Sequence, residues 1–562
     1  MNDLNKQVTD FRNEIGYKKD NFEVNSTEFE VIIDSLRNNK AIGFSEISNE
    51  MIKYGGKIVR IIIKKIVEKI IQFGKFPNFF NVGKIIPILK DDKGKNNDLN
   101  NIRPITVSDA IANIFEKIIL AEAQKTHVEH KLQFGFKKNS SCNHAIFVFK
   151  ETANYYNSKN KPIFACAIDA SKAFDKVNRI FMMQKLIGKI NPLIWRALYE
   201  YYLTSLAYVY NDNEYSIIFK TTVGVKQGGP LSPWLFSVYV EDLITEIERT
   251  PYGTLINGIK TGVIMYADDL LVMSDSVEKL QLLLNIIENY CKNFEIKINA
   301  NKTQYIRIGP KNNKNQSHTK LKLNNDEITE VSKIKYLGVW INSKLNSSDH
   351  IDERRSNTVK AFNALRKTGI TDFCVNPDVK SFMYKVYCRP ILFYGIENMN
   401  LSQQDLKQIQ TTESTLIKYA LNLYKTVKSK NLLKAINLEL VEDRVKELKM
   451  NFFLRLMKND TVKNVINILI DEFVQTENKK LVKKSILKEI SVFTEQTIPN
   501  KNTFTKIVLE KVKIYKKLKK SVVNCGVVDS IKFCLKNRTN ENDKLLKPLV
   551  QSYEKVRRNE LT

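Results

Sequence analysis

The chain reads as an α+β protein with a long helical C-terminal portion. Two patterns predict this. Up to about residue 341, helix-spaced apolar stretches alternate with short apolar strands, and beyond it the periodicity is helical almost to the end. A length of 562 residues also asks for more than one packed unit, because a single hydrophobic core rarely organises so long a chain.

The elements follow in order. Residues 1–40 are polar with weak helical periodicity and read as an extension or lead-in helix. From Ser45 to Phe73 the spacing predicts two helices, interrupted at Gly55-Gly56 and ended by Gly74-Lys75-Phe76-Pro77. Ile85 to Leu89 is a strand, and the Lys/Asp/Asn-rich loop after Lys90 leads to Arg103-Pro104-Ile105, which together suggest a hairpin arm. A helix is predicted over Ser108 to Ala123, then a Gln133-Phe134-Gly135-Phe136 segment and a strand from Pro162 to Ile168. Further strands are expected at Tyr208–Tyr210, Ser216–Val223, Val263–Tyr266, Leu270–Met273, Tyr305–Ile308 and Tyr336–Ile341. Helices are expected at Met182–Tyr202, Pro233–Glu248 and Val277–Phe294. Pro310 to Ile328 is a polar linker. Near the end, Lys479–Ile490 and Ile507–Val523 are basic amphipathic helices, suited to nucleic acid or, as an alternative, to a membrane surface.

Composition narrows the function. There are 89 Lys and Arg against 61 Asp and Glu, a net charge of +28 spread along the whole chain, which implies a polyanionic partner. Seven dispersed cysteines form no C-x-x-C pair and read as reduced thiols. His350 is the last histidine, so no Cys/His zinc knuckle follows it, and no zinc is expected. The start lacks the apolar core of a signal peptide, and every long apolar run is broken by Lys or Arg, so an intracellular protein with no membrane partner is expected. Neither a Walker loop nor a GxGxxG fingerprint is written, leaving ATPase and dehydrogenase readings without support.

Three motifs carry chemistry. In Val263-Ile264-Met265-Tyr266-Ala267-Asp268-Asp269-Leu270-Leu271-Val272-Met273 one apolar strand runs into two adjacent acids and a second strand leaves them. Adjacent ionised aspartates repel, so a site that forces them together usually binds a cation. A second strand ends on Asp169, and carboxylates from two strands can converge on two Mg²⁺ ions, the arrangement that serves nucleotidyl transfer. Asp169 could instead cap a helix, and Asp175 reads as a cap or salt-bridge partner rather than a metal ligand. Between them lies Gly224-Val225-Lys226-Gln227-Gly228-Gly229-Pro230, where paired glycines before a Pro-initiated helix let backbone approach a base or ribose, with Gln227 able to bond it. Alone, such a loop could be only a turn.

The full succession resembles the reverse transcriptases of non-LTR (LINE-type) retrotransposons from about Gly43 to Tyr394. It runs GFSEISNEMIKYGG, KIIPILKDDKG, NIRPITVSDAIANIFEKII, QFGFKKNSSCNHAI, AIDASKAFDKV, GVKQGGPLSPWLF, YADDLLV, NANKTQYI, KYLGVWI and CRPILFYGIE. The resemblance implies a right-hand polymerase: fingers and palm over 41–341, a helical thumb over 342–450 and a basic helical region over 451–562. It implies RNA-directed DNA synthesis from a DNA primer on template RNA with deoxynucleoside triphosphates and two Mg²⁺ ions. Asp169, Asp268 and Asp269 look like the metal-binding acids, and Lys302 like the general acid for pyrophosphate. Arg103 resembles the triphosphate-binding arginine, with Lys90 its partner. Phe174 takes the position that rejects a 2′-hydroxyl. Gln227, Gly228 and Tyr266 line the nucleotide, and Tyr336, Leu337 and Gly338 resemble the primer grip. Location in the nucleus follows from a DNA target. The opening Ala41-Ile42-Gly43-Phe44 departs from the usual GPDG-like string, and no endonuclease signature flanks the polymerase motifs. A group II intron-type maturase and a catalytically silent RNA-binding protein on the same fold are the rival readings; the intact acids weigh against the latter.

Overall fold

The computed structural model describes residues 2–476, apart from 17–20, 92–93, 95–96, 171 and 311–319, together with residue 485. The basic segments Lys479–Ile490 and Ile507–Val523 lie outside the described residues, Ser485 excepted.

Two sheets organise the first part. In the first, Val82–Leu89 pairs antiparallel with Ile102–Ser108 and parallel with Leu206–Asn211, which carries the short strands Glu214–Tyr215 and Phe219–Lys220. The hairpin arm expected around Lys90 and Arg103 is therefore present. The strand expected over Ser216–Val223 shrinks to Phe219–Lys220.

The second sheet runs in the order Thr329–Val331, Gln304–Ile308, Ile163–Asp169, Asp269–Ser274, Val263–Tyr266. Its alternation sorts side chains between two cores. Phe164, Cys166, Ile168, Met265, Leu270 and Val272 enter one core, which the helices Arg179–Leu186, Ser232–Arg249 and Val277–Asn293 complete. Ile163, Ala165, Ile264, Leu271 and Met273 enter the other, completed by the helix Cys142–Ser158 and the later helices Val441–Leu456 and Asp460–Thr476. A sheet covered on both faces needs near-continuous apolar strands, which is why these strands lack an alternating polar face in the sequence.

Several expected boundaries move. Met182–Tyr202 is two helices, Arg179–Leu186 and Pro192–Leu203, because Gly188 takes a left-handed φ of 75° and Asn191 caps a new helix that starts on Pro192. Tyr336–Ile341 is a hairpin, Lys333–Tyr336 against Val339–Asn342, with Leu337 at φ 47° and Gly338 at φ 78° forming the two-residue turn. The first forty residues are part of the main core rather than an appendage: Val8, Ile15, Phe29 and Ile33 are buried there, Phe11 meets Trp195 edge-on at 4.9 Å, and Arg12 pairs with Glu200 at 2.6 Å.

Beyond the hairpin, Ser348–Arg366, Pro377–Met383, Gln403–Ala420 and Ser429–Ala435 build a helical unit around Phe362, Tyr384, Leu416, Ile417 and Leu433. Its buried Arg389 is held by Glu413 and Glu439, both at 2.8 Å. The helix Val441–Leu456 then returns to the second sheet, where Phe452, Phe453 and Leu456 are fully buried, so packing is continuous across residue 450. Among the described residues no helix is long and apolar enough to cross a membrane.

Candidate active site

The acids come together because of strand register. Asp169, the last residue of the central strand, lies directly opposite Asp269, the first residue of its neighbour. Tyr266 pairs with Asp269 across the hairpin, leaving Ala267 and Asp268 as the two-residue turn, with Ala267 at φ 56°. Burial pushes the Asp268 carboxyl up, and Asp169 adds to this while Arg103 opposes it. For Asp269, the first residue of the returning strand, burial and the charges of Asp268 and Asp169 push the carboxyl up to about 6. Three acids crowded at one end of the sheet concentrate negative charge, which a bound cation relieves.

Hard carboxylate oxygens are the donors that Mg²⁺ takes, so the residues present fit such an ion. Among the described residues no three His, Cys, Asp or Glu side chains are drawn close enough to enclose a metal by themselves. Mg²⁺ does not require such a cage, since it usually binds through one or two carboxylates plus water and substrate phosphates.

Two of the three cationic residues expected from sequence, Lys302 and Arg103, lie near the acids, and Lys90 does not. Lys302 follows a loop that lies along the end of the central strand, where Asn299 N–H donates to the Asp169 carbonyl at 2.9 Å. Its Nζ is 3.9 Å from Asp169 and largely exposed. Arg103 projects from the arm within electrostatic reach of Asp268. Lys90 Nζ donates to the Asn100 carbonyl at 2.9 Å, closing the base of the arm, and its charge acts on Asp175.

Asp175 and Gln227 form a pair. The Gln227 amide donates to the Asp175 carboxylate at 2.6 Å, and burial raises the Asp175 carboxyl. Asp175 is thus occupied away from the three acids. Gln227 also accepts a bond from Thr106 N–H at 2.7 Å, which sews its loop to the free edge of Ile102–Ser108. Gly228 has a cause of its own at that seam: φ is 118°, and a Cβ there would lie 2.8 Å from the Thr106 carbonyl oxygen. The sequence reading assigns this glycine to close approach of a nucleotide; the structure supplies an intramolecular reason. A cleft of 210 Å³ opens beside it, lined by Pro104, Thr106, Asp175 and Gln227.

Phe174 stacks on Phe236, with ring centres 4.7 Å apart, and meets Phe136 edge-on at 6.2 Å. Its carbonyl accepts from Val225 N–H at 2.9 Å, which ties the half-buried residue to the start of the Gln227 loop. Tyr266 is half-buried, its hydroxyl raised by burial and by a bond with Cys142.

One of the three primer-grip residues is placed otherwise than expected. Tyr336 is only 2% exposed and its ring packs into the core near Phe149, so it cannot present its side chain to a primer. The physical reason is hairpin alternation: Tyr336 shares the inward face with Ile334, Val339 and Ile341. Leu337 and Gly338 remain at the turn, where the Tyr394 hydroxyl donates to the Leu337 carbonyl at 2.9 Å.

Two buried groups at the site escape the sequence reading. Lys226, at 8% exposure, reaches Asn81, the Tyr201 hydroxyl at 3.0 Å and Glu116 at 3.9 Å, anchoring the Gln227 loop from behind. Gln133 lies against the acid-bearing turn. Neither has a distinguishing signal, since a polar residue amid apolar neighbours reads as a loop position unless its partners are known.

Residues 88–341 match the family described as Reverse transcriptase (RNA-dependent DNA polymerase). Over a longer stretch the chain is similar to RNA-directed DNA polymerases of mobile elements. It is 25% identical over 386 residues to the RNA-directed DNA polymerase from mobile element jockey of Drosophila melanogaster, covering 66% of this chain and 41% of that protein. It is 22% identical over 446 residues to the probable RNA-directed DNA polymerase from transposon BS of the same organism, covering 76% and 48%. The chain thus spans less than half the length of these relatives. A solved telomerase of Candida albicans is similar at a TM-score of 0.35 and 12% identity over 70% of this chain and 62% of that one, a level at which the likeness carries no argument.

Proposed function

We propose that this chain is an RNA-directed DNA polymerase that extends a primer 3′-hydroxyl on an RNA template, in the service of retrotransposition. The observation that carries the reading is the register pairing of Asp169 with Asp269 beside Asp268 in the turn, within the residues that match the reverse transcriptase family.

In this reading Asp169, Asp268 and Asp269 hold two Mg²⁺ ions, which when bound supply charge neutralisation for the triphosphate and acidify the primer hydroxyl. The rest falls to the protein. Arg103 and Lys90, on the arm, neutralise the triphosphate and hold it over the acids. The primer 3′-hydroxyl gives up its proton to solvent, its oxygen bonds to the α-phosphorus as the bond to the pyrophosphate oxygen breaks, and Lys302, beside Asp169, gives the leaving pyrophosphate a proton. Phe174, rigidly stacked on Phe236, closes the space a 2′-hydroxyl would need. Gln227 and Gly228 line the nucleotide, and the Leu337-Gly338 turn supports the primer end. Residues 41–341 act as fingers and palm, the helical unit that follows as thumb, and the basic segments Lys479–Ile490 and Ile507–Val523 as a nucleic-acid surface. An RNA-containing duplex is A-like, so contacts should fall on phosphates and 2′-hydroxyls, with steep salt dependence. A nuclear location goes with a DNA target.

The test is primer extension on poly(rA)/oligo(dT) with Mg²⁺ and dTTP, beside an Asp268→Ala plus Asp269→Ala variant. Incorporation by the wild type that the variant lacks supports the polymerase. A folded wild type that binds the duplex and incorporates nothing contradicts it and favours a silent RNA-binding protein.

A further inference from the structure

The turn that presents the acids has a conformational problem. Ala267 sits at φ 56°, a left-handed conformation that an alanine rarely adopts and that glycine adopts freely. As a turn residue it also has backbone groups that the strand pairing of Tyr266 with Asp269 does not use.

The answer lies in a segment far away in sequence. Gln133 is 1% exposed, and its side-chain oxygen accepts from Ala267 N–H at 3.0 Å and from Gly135 N–H at 2.9 Å, while its amide nitrogen donates to the Ala267 carbonyl at 3.5 Å. One side chain thus serves both backbone groups of the left-handed residue. The flanking backbone fixes its height: Met265 N–H donates to the Leu132 carbonyl at 3.0 Å, and Phe134 N–H donates to the Met265 carbonyl at 2.7 Å. Gly135 completes the fit, since a Cβ there would lie 2.4 Å from the Ala267 nitrogen.

We propose that Gln133 is a positioning residue for the polymerase reaction, acting through Ala267 to hold Asp268 and Asp269 in the orientation that accepts the metal ions. This rests on the polymerase reading above. Its energetic logic is that a buried amide with two acceptor bonds to fixed N–H groups stabilises one backbone conformation of the turn over its alternatives. Loss of the amide leaves Ala267 free to relax toward ordinary φ, which turns the adjacent carboxylates.

The experiment compares the full chain with Gln133→Ala, and with Gln133→Ala combined with Ala267→Gly. Amide hydrogen exchange of the 263–270 segment is read first and needs no activity: faster exchange in Gln133→Ala is expected, and unchanged protection overturns the proposal. In single-nucleotide incorporation, Gln133→Ala should lower kcat by about 10- to 100-fold, because misplacement of a catalytic group by about 1 Å costs on this scale. KM for the nucleotide should change little, and the Mg²⁺ concentration for half-maximal rate should rise. Ala267→Gly should restore part of the lost kcat, since glycine adopts the positive φ without strain. A Gln133→Ala variant with wild-type kcat, or one whose loss tracks a drop in melting temperature and is not rescued by Ala267→Gly, overturns the proposal. A wild-type chain that incorporates nothing contradicts the polymerase reading instead, while the exchange arm still decides the role of Gln133 at the turn.

Discussion

Three glycines separate the two physical costs that fix the Gln227 loop against the arm. Gly188 has φ 75° and open space around it, so Gly188→Ala isolates the conformational cost of a left-handed residue, about 1 kcal/mol. Gly135 has no positive φ, and Gly135→Ala isolates a steric cost: a carbon 2.4 Å from a backbone nitrogen must displace the acid-bearing turn, at about 1–3 kcal/mol for overpacking. Gly228 combines both effects. Its φ of 118° lies where residues other than glycine pay about 1–3 kcal/mol, and its Cβ would stand 2.8 Å from the Thr106 carbonyl, which belongs to a paired strand and cannot swing aside. Gly228→Ala should therefore destabilise by about 2–6 kcal/mol and shift the strand that carries Arg103. The assay is denaturant unfolding of the three full-chain variants, with nucleotide incorporation measured beside it. Gly228→Ala should lose the most stability, and Gly135→Ala should lose activity out of proportion to its modest destabilisation. A Gly188→Ala cost equal to that of Gly228→Ala, or a Gly228→Ala variant within about 1 kcal/mol of the wild type, would refute the reasoning.

Other expectations follow from the same site. Burial lowers the Lys226 amine to about 8 from its ordinary 10.5, so between those values the unfolded chain binds more protons and stability rises with pH; melting temperature followed from about pH 7 to 10 should show this rise, and Lys226→Met should remove it. The penalty of the charged amine is fully present below about pH 8 and fades toward pH 10.5. Asp169→Asn should lower kcat by at least about a hundredfold with the duplex still bound, which gel-shift and incorporation assays together can check. Phe174→Val should relax discrimination against ribonucleotides by roughly 10- to 200-fold in relative kcat/KM, because the ring rejects the 2′-hydroxyl by shape alone; unchanged discrimination would remove Phe174 from that role.

The acid hairpin and central strand are legible in the sequence because each strand is apolar on both faces and ends abruptly on a carboxylate. Chain order then suggests the partner acids, although only the register of Asp169 against Asp269 sets them opposite each other. The helix Cys142–Ser158 gives no such signal. Every residue from His144 to Tyr155 in it is buried, so it has no exposed polar face and hence no amphipathic stripe to detect. The inward-facing ring of Tyr336 is not legible because a resemblance to a motif does not say which way a hairpin residue faces. Gln133 and Lys226 are invisible for a different reason: their meaning lies in partners more than a hundred residues away, Ala267 and Asn81. The helices of the first forty residues look dispensable, yet Phe11 and Arg12 lock onto Trp195 and Glu200, contacts that periodicity cannot foretell.

The most direct measurement of the central claim is incorporation of single nucleotides by the full chain on a defined RNA template annealed to a DNA primer, with Mg²⁺ and each deoxynucleotide offered separately. The account predicts extension by the complementary nucleotide alone, abolished by Asp268→Asn. Extension that ignores the template base, or that survives Asp268→Asn, would contradict it.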